Sequence, residues 1–164
     1  MSLPLVVAIT GASGIVYGID ILRALRKLSV STHLVVSEAA IQTLKYESEL
    51  SLADLRALAD VVHSNKDIAA SISSGSFLTR GMIVAPCSIK TLSAIANSYD
   101  ADLVARAADV TLKERRPLVL MVRETPLHKG HLDLMARATD YGAIIMPPMP
   151  AFYHKPQSIQ DIVD

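Results

Sequence analysis

The sequence predicts an α/β fold on a parallel sheet covered on both faces, and three features carry that prediction. Leu118 to Val122 is an apolar run without alternation, the pattern of a strand buried on both sides. Leu3 to Thr10 is a second short apolar strand, which breaks at Gly11-Ala12-Ser13-Gly14 into a helix whose buried stripe is Ile15, Ile19, Leu22 and Leu25. Strand and helix patterns then alternate along the chain, the order expected of a parallel α/β sheet.

The second strand, Thr32 to Val36, ends at Ser37, which is placed to cap a helix from Glu38 to Glu47. Glu47 and Glu49 close that helix, where a carboxylate opposes the helix dipole and gains nothing from it. Ser51 to Leu58 restarts a helix with Ser51 and Asp54 as its cap, and Val61 to His63 forms a short third strand with His63 as a strand-end residue. A polar loop, Ser71 to Ser76, leads to the strand Met82 to Ala85, and Pro86-Cys87-Ser88-Ile89-Lys90-Thr91 turns it into a helix that runs to about Ala96. Cys87 at that turn reads as a small buried filler, with a thiolate at a helix amino terminus as the alternative.

Arg106 to Pro126 is the stretch around which the rest is organised. At helical spacing Arg106, Asp109 and Lys113 share one face, while Leu103, Ala107, Val110 and Glu114 share another. An ordinary Asp109–Lys113 ion pair is one expectation for that charged face. Arg123 and Glu124 follow the buried strand at its carboxyl end, where open α/β sheets bind ligands. Charges at the mouth of an apolar sheet need partners, and a phosphate is the partner expected here.

Lys129 to Tyr141 reads as a helix and Ala143 to Met146 as the last strand. His128 and His131 stand three apart with no third ligand type nearby, which favours surface residues over a metal pair. Pro147 to Tyr153 is too proline-rich for a helix and runs extended, able to carry Tyr153 over a pocket or to a neighbouring subunit. Ser158 caps a helix that the chain leaves at Asp164, so a longer helix is expected there.

Length and composition narrow the function. One domain spanning residues 1–164 is expected. Hydrophobic residues make up 51% and aromatic ones 4%, and the mean hydropathy of +0.35 is high for a monomer, so a homo-oligomer is expected. Sixteen basic and sixteen acidic residues give no electrostatic case for nucleic acid or an anionic membrane. A lone cysteine fits a reducing compartment, no apolar run nears the about 18 residues of a membrane span, and the cytoplasm is the expected location.

The strand, glycine turn and helix start at Gly11 to Gly14 would make an anion site, because free N–H groups and the positive helix end converge there. A tight turn in which Ser13 serves only the backbone is the other reading. The spacing is not the G-x-G-x-x-G dinucleotide fingerprint. The tip of the second strand carries Ser37 rather than an acid, which favours a phosphate or ribityl contact over NAD.

These residues carry a resemblance. GASG at Gly11 to Gly14, VSEAA at Val36 to Ala40, SSGSF at Ser73 to Phe77, APCSIKTL at Ala85 to Leu92, RAADVTLKERRPLVL at Arg106 to Leu120, RETPL at Arg123 to Leu127 and PPMPAFY at Pro147 to Tyr153 resemble the flavin prenyltransferases of the UbiX type. The resemblance implies a Rossmann- or flavodoxin-like three-layer sandwich, a homododecamer that joins the prenyl group of dimethylallyl monophosphate to reduced FMN at N5 and C6. Prenylated FMN would then serve a decarboxylase of the UbiD type, in ubiquinone synthesis or aromatic-acid decarboxylation.

By the same resemblance Gly11, Ala12, Ser13, Ser37, Ser88, Ile89, Lys90, Thr91 and Arg123 would hold FMN. Glu47 would be the acid/base, Lys113 and Glu124 would sit beside the prenyl phosphate, and Arg106 and Tyr153 would complete that site. The family's further basic phosphate contact falls beyond Asp164. Without an aspartate-rich motif for magnesium, Lys113 and Arg123 would stabilise a departing monophosphate directly, by about 3 kcal/mol for one good donor. Lys113, Arg123 and the Ser13 turn are therefore expected at one rim. Two alternatives stand beside this reading: an FMN-dependent cysteine decarboxylase, against which Lys90 argues where those enzymes carry asparagine, and a non-catalytic FMN carrier.

Overall fold

The protein is described by a computed structural model over residues 3–164. From the amino terminus the elements are β1 (Leu5–Ile9), α1 (Ile15–Lys27), β2 (Thr32–Val36), α2 (Glu38–Glu47), α3 (Leu52–Arg56) and β3 (Val61–Ser64). After a 3-10 turn at Ser71–Ser73 come β4 (Gly81–Cys87), α4 (Ile89–Ala96), α5 (Leu103–Lys113), β5 (Leu118–Val122), α6 (Lys129–Asp140), β6 (Ile144–Ile145), a second 3-10 turn at Phe152–His154 and α7 (Gln160–Val163). That second turn stands where an extended run through Tyr153 is expected, because the prolines have ended before it. The predicted second strand, its following helix and the strand at Leu118 to Val122 keep their bounds. The fourth strand is longer than expected because it continues through Pro86, with a register irregularity between Val84 and Cys87.

All six strands are parallel and lie in the order β3-β2-β1-β4-β5-β6. The chain winds outward from β1 to β3, then crosses back and winds the other way from β4. That reversal places a topological switch point between β1 and β4.

Alternating side chains of each strand feed two cores. Val7 and Ile9 of β1 pack with Ile15, Ile19 and Leu22 of α1, Ala40 and Leu44 of α2 and Leu55 of α3. Val6 and Ala8 point the other way, to Leu92 and Ile95 of α4, Leu103 and Ala107 of α5 and Ala138 of α6. This double burial is why β1 and β5 are apolar at every position, and each buried aliphatic side chain contributes about 1.5–3 kcal/mol. The three-layer sandwich is thus as expected, and it leaves the carboxyl edge of the sheet free for function. No helix among the described residues is long and apolar enough to cross a membrane.

Candidate active site

A cleft of about 540 Å³ opens where the ends of β1 and β4 diverge, lined by Gly11, Ser37, Asn65, Ser88, Lys90 and Asp102 among others. The amino termini of α1, α2, α4 and α5 all follow loops at this edge, and the protein closes two of them itself. At α5, Asp102 accepts from Ala105 N at 2.9 Å, while Asn65 accepts from Leu103 N at 2.9 Å through its carbonyl and from Val104 N at 3.0 Å through its side chain. At α1, Glu47 Oε2 accepts from Gly14 N at 2.8 Å and from Ile15 N at 3.1 Å.

The starts of α2 and α4 stay open toward the cleft. Ser37 Oγ accepts from Ala40 N and Ser88 Oγ from Thr91 N, each at 3.2 Å. The N–H groups of Glu38, Ala39, Ile89 and Lys90 have no partner among the described residues. Free donors and two positive helix ends flanking one cleft suit an anion or a polar ring edge. Lys90 adds an exposed cation, whereas Lys66 and Glu38 pair at 3.6 Å on the outer lip and are too exposed to contribute much. A Cβ at Gly11 would fall on the Ala39 side chain, so the bare glycine lets α2 close on the turn.

Glu47 connects two of the expectations. It closes α2 without benefit from that helix, yet its carboxylate reaches the positive end of α1. The Gly11–Gly14 turn is indeed an anion site, and the anion it holds is the protein's own. Gly14 sits at φ 101°, a conformation that favours glycine. Partial burial acts to raise the Glu47 pKa, but the Ser13 hydroxyl, the Gly14 and Ile15 N–H groups and the positive charge of Arg123 outweigh it, holding the carboxyl below its ordinary range. Glu47 and Arg123 thus converge at one place from opposite halves of the chain.

The other predicted residues are distributed differently. Ala12 N donates to Thr10 O at 2.9 Å within the turn, and Thr91 Oγ1 accepts from Ser88 Oγ at 3.1 Å. Ile89 is half-buried at the start of α4. Glu124 is exposed beside Arg123 and takes Thr125 N at 3.0 Å. Arg106 is held within its own copy by Asp100 at 2.9 Å, Asp109 at 3.3 Å and the Ser73 carbonyl at 3.2 Å.

Lys113 pairs with its neighbour Glu114, not with Asp109 as the spacing suggested. It ends α5 shortly before β5 begins, near Arg116, which donates to the Gly75 and Phe77 carbonyls on the way into β4. Lys113 therefore lies at the amino edge of the sheet, and Arg123 at the carboxyl edge, roughly 17 Å of strand away. The expectation that both share one rim with the Ser13 turn is not met within one copy, because a helix crossing back must end where the next strand starts. Tyr153 is 80% exposed on the C-terminal segment and lies against the neighbouring His154, with ring centroids 4.1 Å apart.

Some features had no clear signal in the sequence. Thr10, Asn65 and Asp102 shape the cleft through hydrogen bonds between distant segments, and only Asp102 could have been read, as a helix cap. His33 and His63 contact through their ring nitrogens at 2.9 Å. Cys87 is the expected buried filler, its thiol pushed up to about 12 by burial. His128 caps α6 by accepting from Gly130 N at 3.0 Å and stacks on His131 at 3.7 Å. No group of three or more His, Cys, Asp or Glu side chains among the described residues is placed to hold a metal ion.

The sequence model of the Flavoprotein family matches residues 2–164. Flavin prenyltransferase UbiX of Escherichia coli K12 is 62% identical over 161 residues, covering 98% of this chain and 85% of its own. The solved structure of AnUbiX (PadA1) in complex with FMN and dimethylallyl pyrophosphate is 54% identical with a TM-score of 0.99, over 100% of this chain and 87% of that one. A dodecameric FMN-dependent UbiX-like decarboxylase from E. coli O157:H7 is 51% identical with a TM-score of 0.97, over 98% and 88%. Peptidyl-cysteine decarboxylase EpiD, at 12% identity, TM-score 0.72 and coverage of 92% and 84%, shares the fold alone.

Proposed function

Because the chain belongs to the UbiX-type flavin prenyltransferases of the Flavoprotein family, we propose that it joins the dimethylallyl group of dimethylallyl monophosphate to reduced FMN at N5 and C6. The product, prenylated FMN, passes to a UbiD-type decarboxylase. The observation that carries this reading is the pair of open helix starts, α2 and α4, facing the switch-point cleft, next to the start of α1 that Glu47 closes. The cleft volume and its free N–H donors fit FMN, which when bound supplies the nucleophilic ring.

Ser37 and Ser88 to Thr91 offer the donors for its phosphate and ring edge, Gly11 forms the wall beside them with Ala12 and Ser13 in the same turn, and Arg123 would meet the flavin from the tip of β5. Glu47, kept ionised by α1 and Arg123, is present as the carboxylate form that a proton acceptor needs. Glu124 borders the prenyl phosphate.

Lys113, Arg106 and Tyr153 would then serve the phosphate of a neighbouring copy. An assembly such as the dodecamer of the E. coli O157:H7 relative reconciles their chemistry with their position. Exposed Met149, Phe152 and Ile159 on the C-terminal segment support such packing. Cationic side chains are the means of stabilising a departing phosphate without a metal. The whole chain acts as one flavoprotein domain, and the buried free thiol of Cys87 and the need for reduced flavin favour the cytoplasm.

Anaerobic incubation with reduced FMN and dimethylallyl monophosphate, followed by mass analysis of the flavin, tests this directly. A flavin heavier by one dimethylallyl unit is expected. An unchanged flavin that stays bound would leave the carrier reading in its place.

A further inference from the structure

Thr10 lies just past β1, is 1% exposed, and does not itself line the cleft. Its hydroxyl donates to the Pro86 carbonyl at 2.8 Å and accepts from Ser88 N at 2.8 Å. Its own N–H also donates to Pro86 O at 3.2 Å, and its carbonyl accepts from Ala12 N at 2.9 Å. Pro86 has no N–H to return toward β1, so the return bond comes from Ser88 and lands on a side chain. The hydroxyl's one proton is donated inside the protein and one of its lone pairs accepts there, and at 1% exposure it is closed to a ligand.

We infer that Thr10 is a positioning residue that locks the two cofactor-binding turns, Gly11–Gly14 and Ser88–Thr91, into one rigid rim before FMN arrives. This rests on the FMN reading above. With Ser88 N fixed by Thr10, Ser88 Oγ is held where it caps Thr91 N, and the N–H groups of Ile89 and Lys90 are left aimed outward. A buried donor that loses its acceptor shifts to find another, and Ser88 would take the start of α4 with it.

Thr10→Val keeps the shape and removes both hydroxyl bonds, and Thr10→Ser keeps the bonds and removes a methyl. Titration of FMN, followed by quenching of its fluorescence, should show Kd raised about tenfold in Thr10→Val, about 1.4 kcal/mol, and restored to within about twofold in Thr10→Ser. Thr111→Val is the control: its hydroxyl is equally buried but bonds Ala107 O at 2.7 Å inside α5, and it should lose stability with no change in Kd. Equal Kd for Thr10→Val and the unaltered protein, or an equal rise in Thr111→Val, overturns the inference.

Should Thr10→Val not fold, amide exchange in the unaltered protein decides: Ser88 N–H protected before FMN is added supports the lock, and free exchange overturns it. Failure of the unaltered protein to bind FMN would instead refute the parent reading.

Discussion

The Glu47 carboxylate lies 2.8 Å from the backbone nitrogen of Gly14, 33 positions away in the chain. The end of α2 thereby neutralises the start of α1 and holds a charged group at the mouth of the sheet beside Arg123. Glu47→Gln retains an acceptor for the N–H groups and loses the charge. Turnover is expected to fall about a hundredfold or more, since general-base catalysis is worth that much, with FMN binding kept. Stability should fall by about 0.3–1 kcal/mol, the value of an exposed charge at a helix end. The folded carboxyl is depressed from its ordinary 4.5, so its contribution is present above that pH and lost as pH falls through the folded value. Acid unfolding curves of the variant should be flatter there.

Gly11→Ala would drive a Cβ into Ala39 and separate α2 from the turn. Overpacking of this kind costs about 1–3 kcal/mol. Denaturant unfolding should register that loss, and FMN Kd should rise because the open start of α2 moves with its helix.

Lys113→Ala removes a half-exposed side chain paired only with adjacent Glu114. An exposed pair is worth tenths of a kcal/mol, so the thermal midpoint should barely move. Prenyl transfer should nonetheless collapse if another copy's phosphate depends on this cation. Mixing Lys113→Ala with Glu47→Gln subunits should then restore part of the activity, as complementation between copies requires.

His33 and His63 form a pair across β2 and β3, and burial, together with His63 in the case of His33, holds both below their ordinary 6.5; Asp60 and Asp67 pull the other way. Below pH 6.5 the unfolded chain binds protons that the folded pair refuses. Their contribution is therefore complete above that pH and declines as pH drops, by at most about 1.4 kcal/mol per pH unit for each histidine. His63→Gln should show a shallower decline between pH 6.5 and 5 in denaturant titrations.

Local patterning determined the sandwich. Unbroken apolar runs such as Leu118 to Val122 read as strands covered on both sides, and Ser37 and Ser51 announced their helices because a cap acts within one turn of itself. The family motifs marked the residues of the cleft for the same reason, being contiguous. What only the tertiary structure decided are the relationships between segments far apart in the chain. Glu47 faces α1 rather than its own helix, Thr10 holds Ser88 across the switch point, and Lys113 ends at the opposite edge of the sheet from Arg123. Each follows from where parallel strands and their crossovers bring chain ends together, and neither spacing nor propensity encodes that.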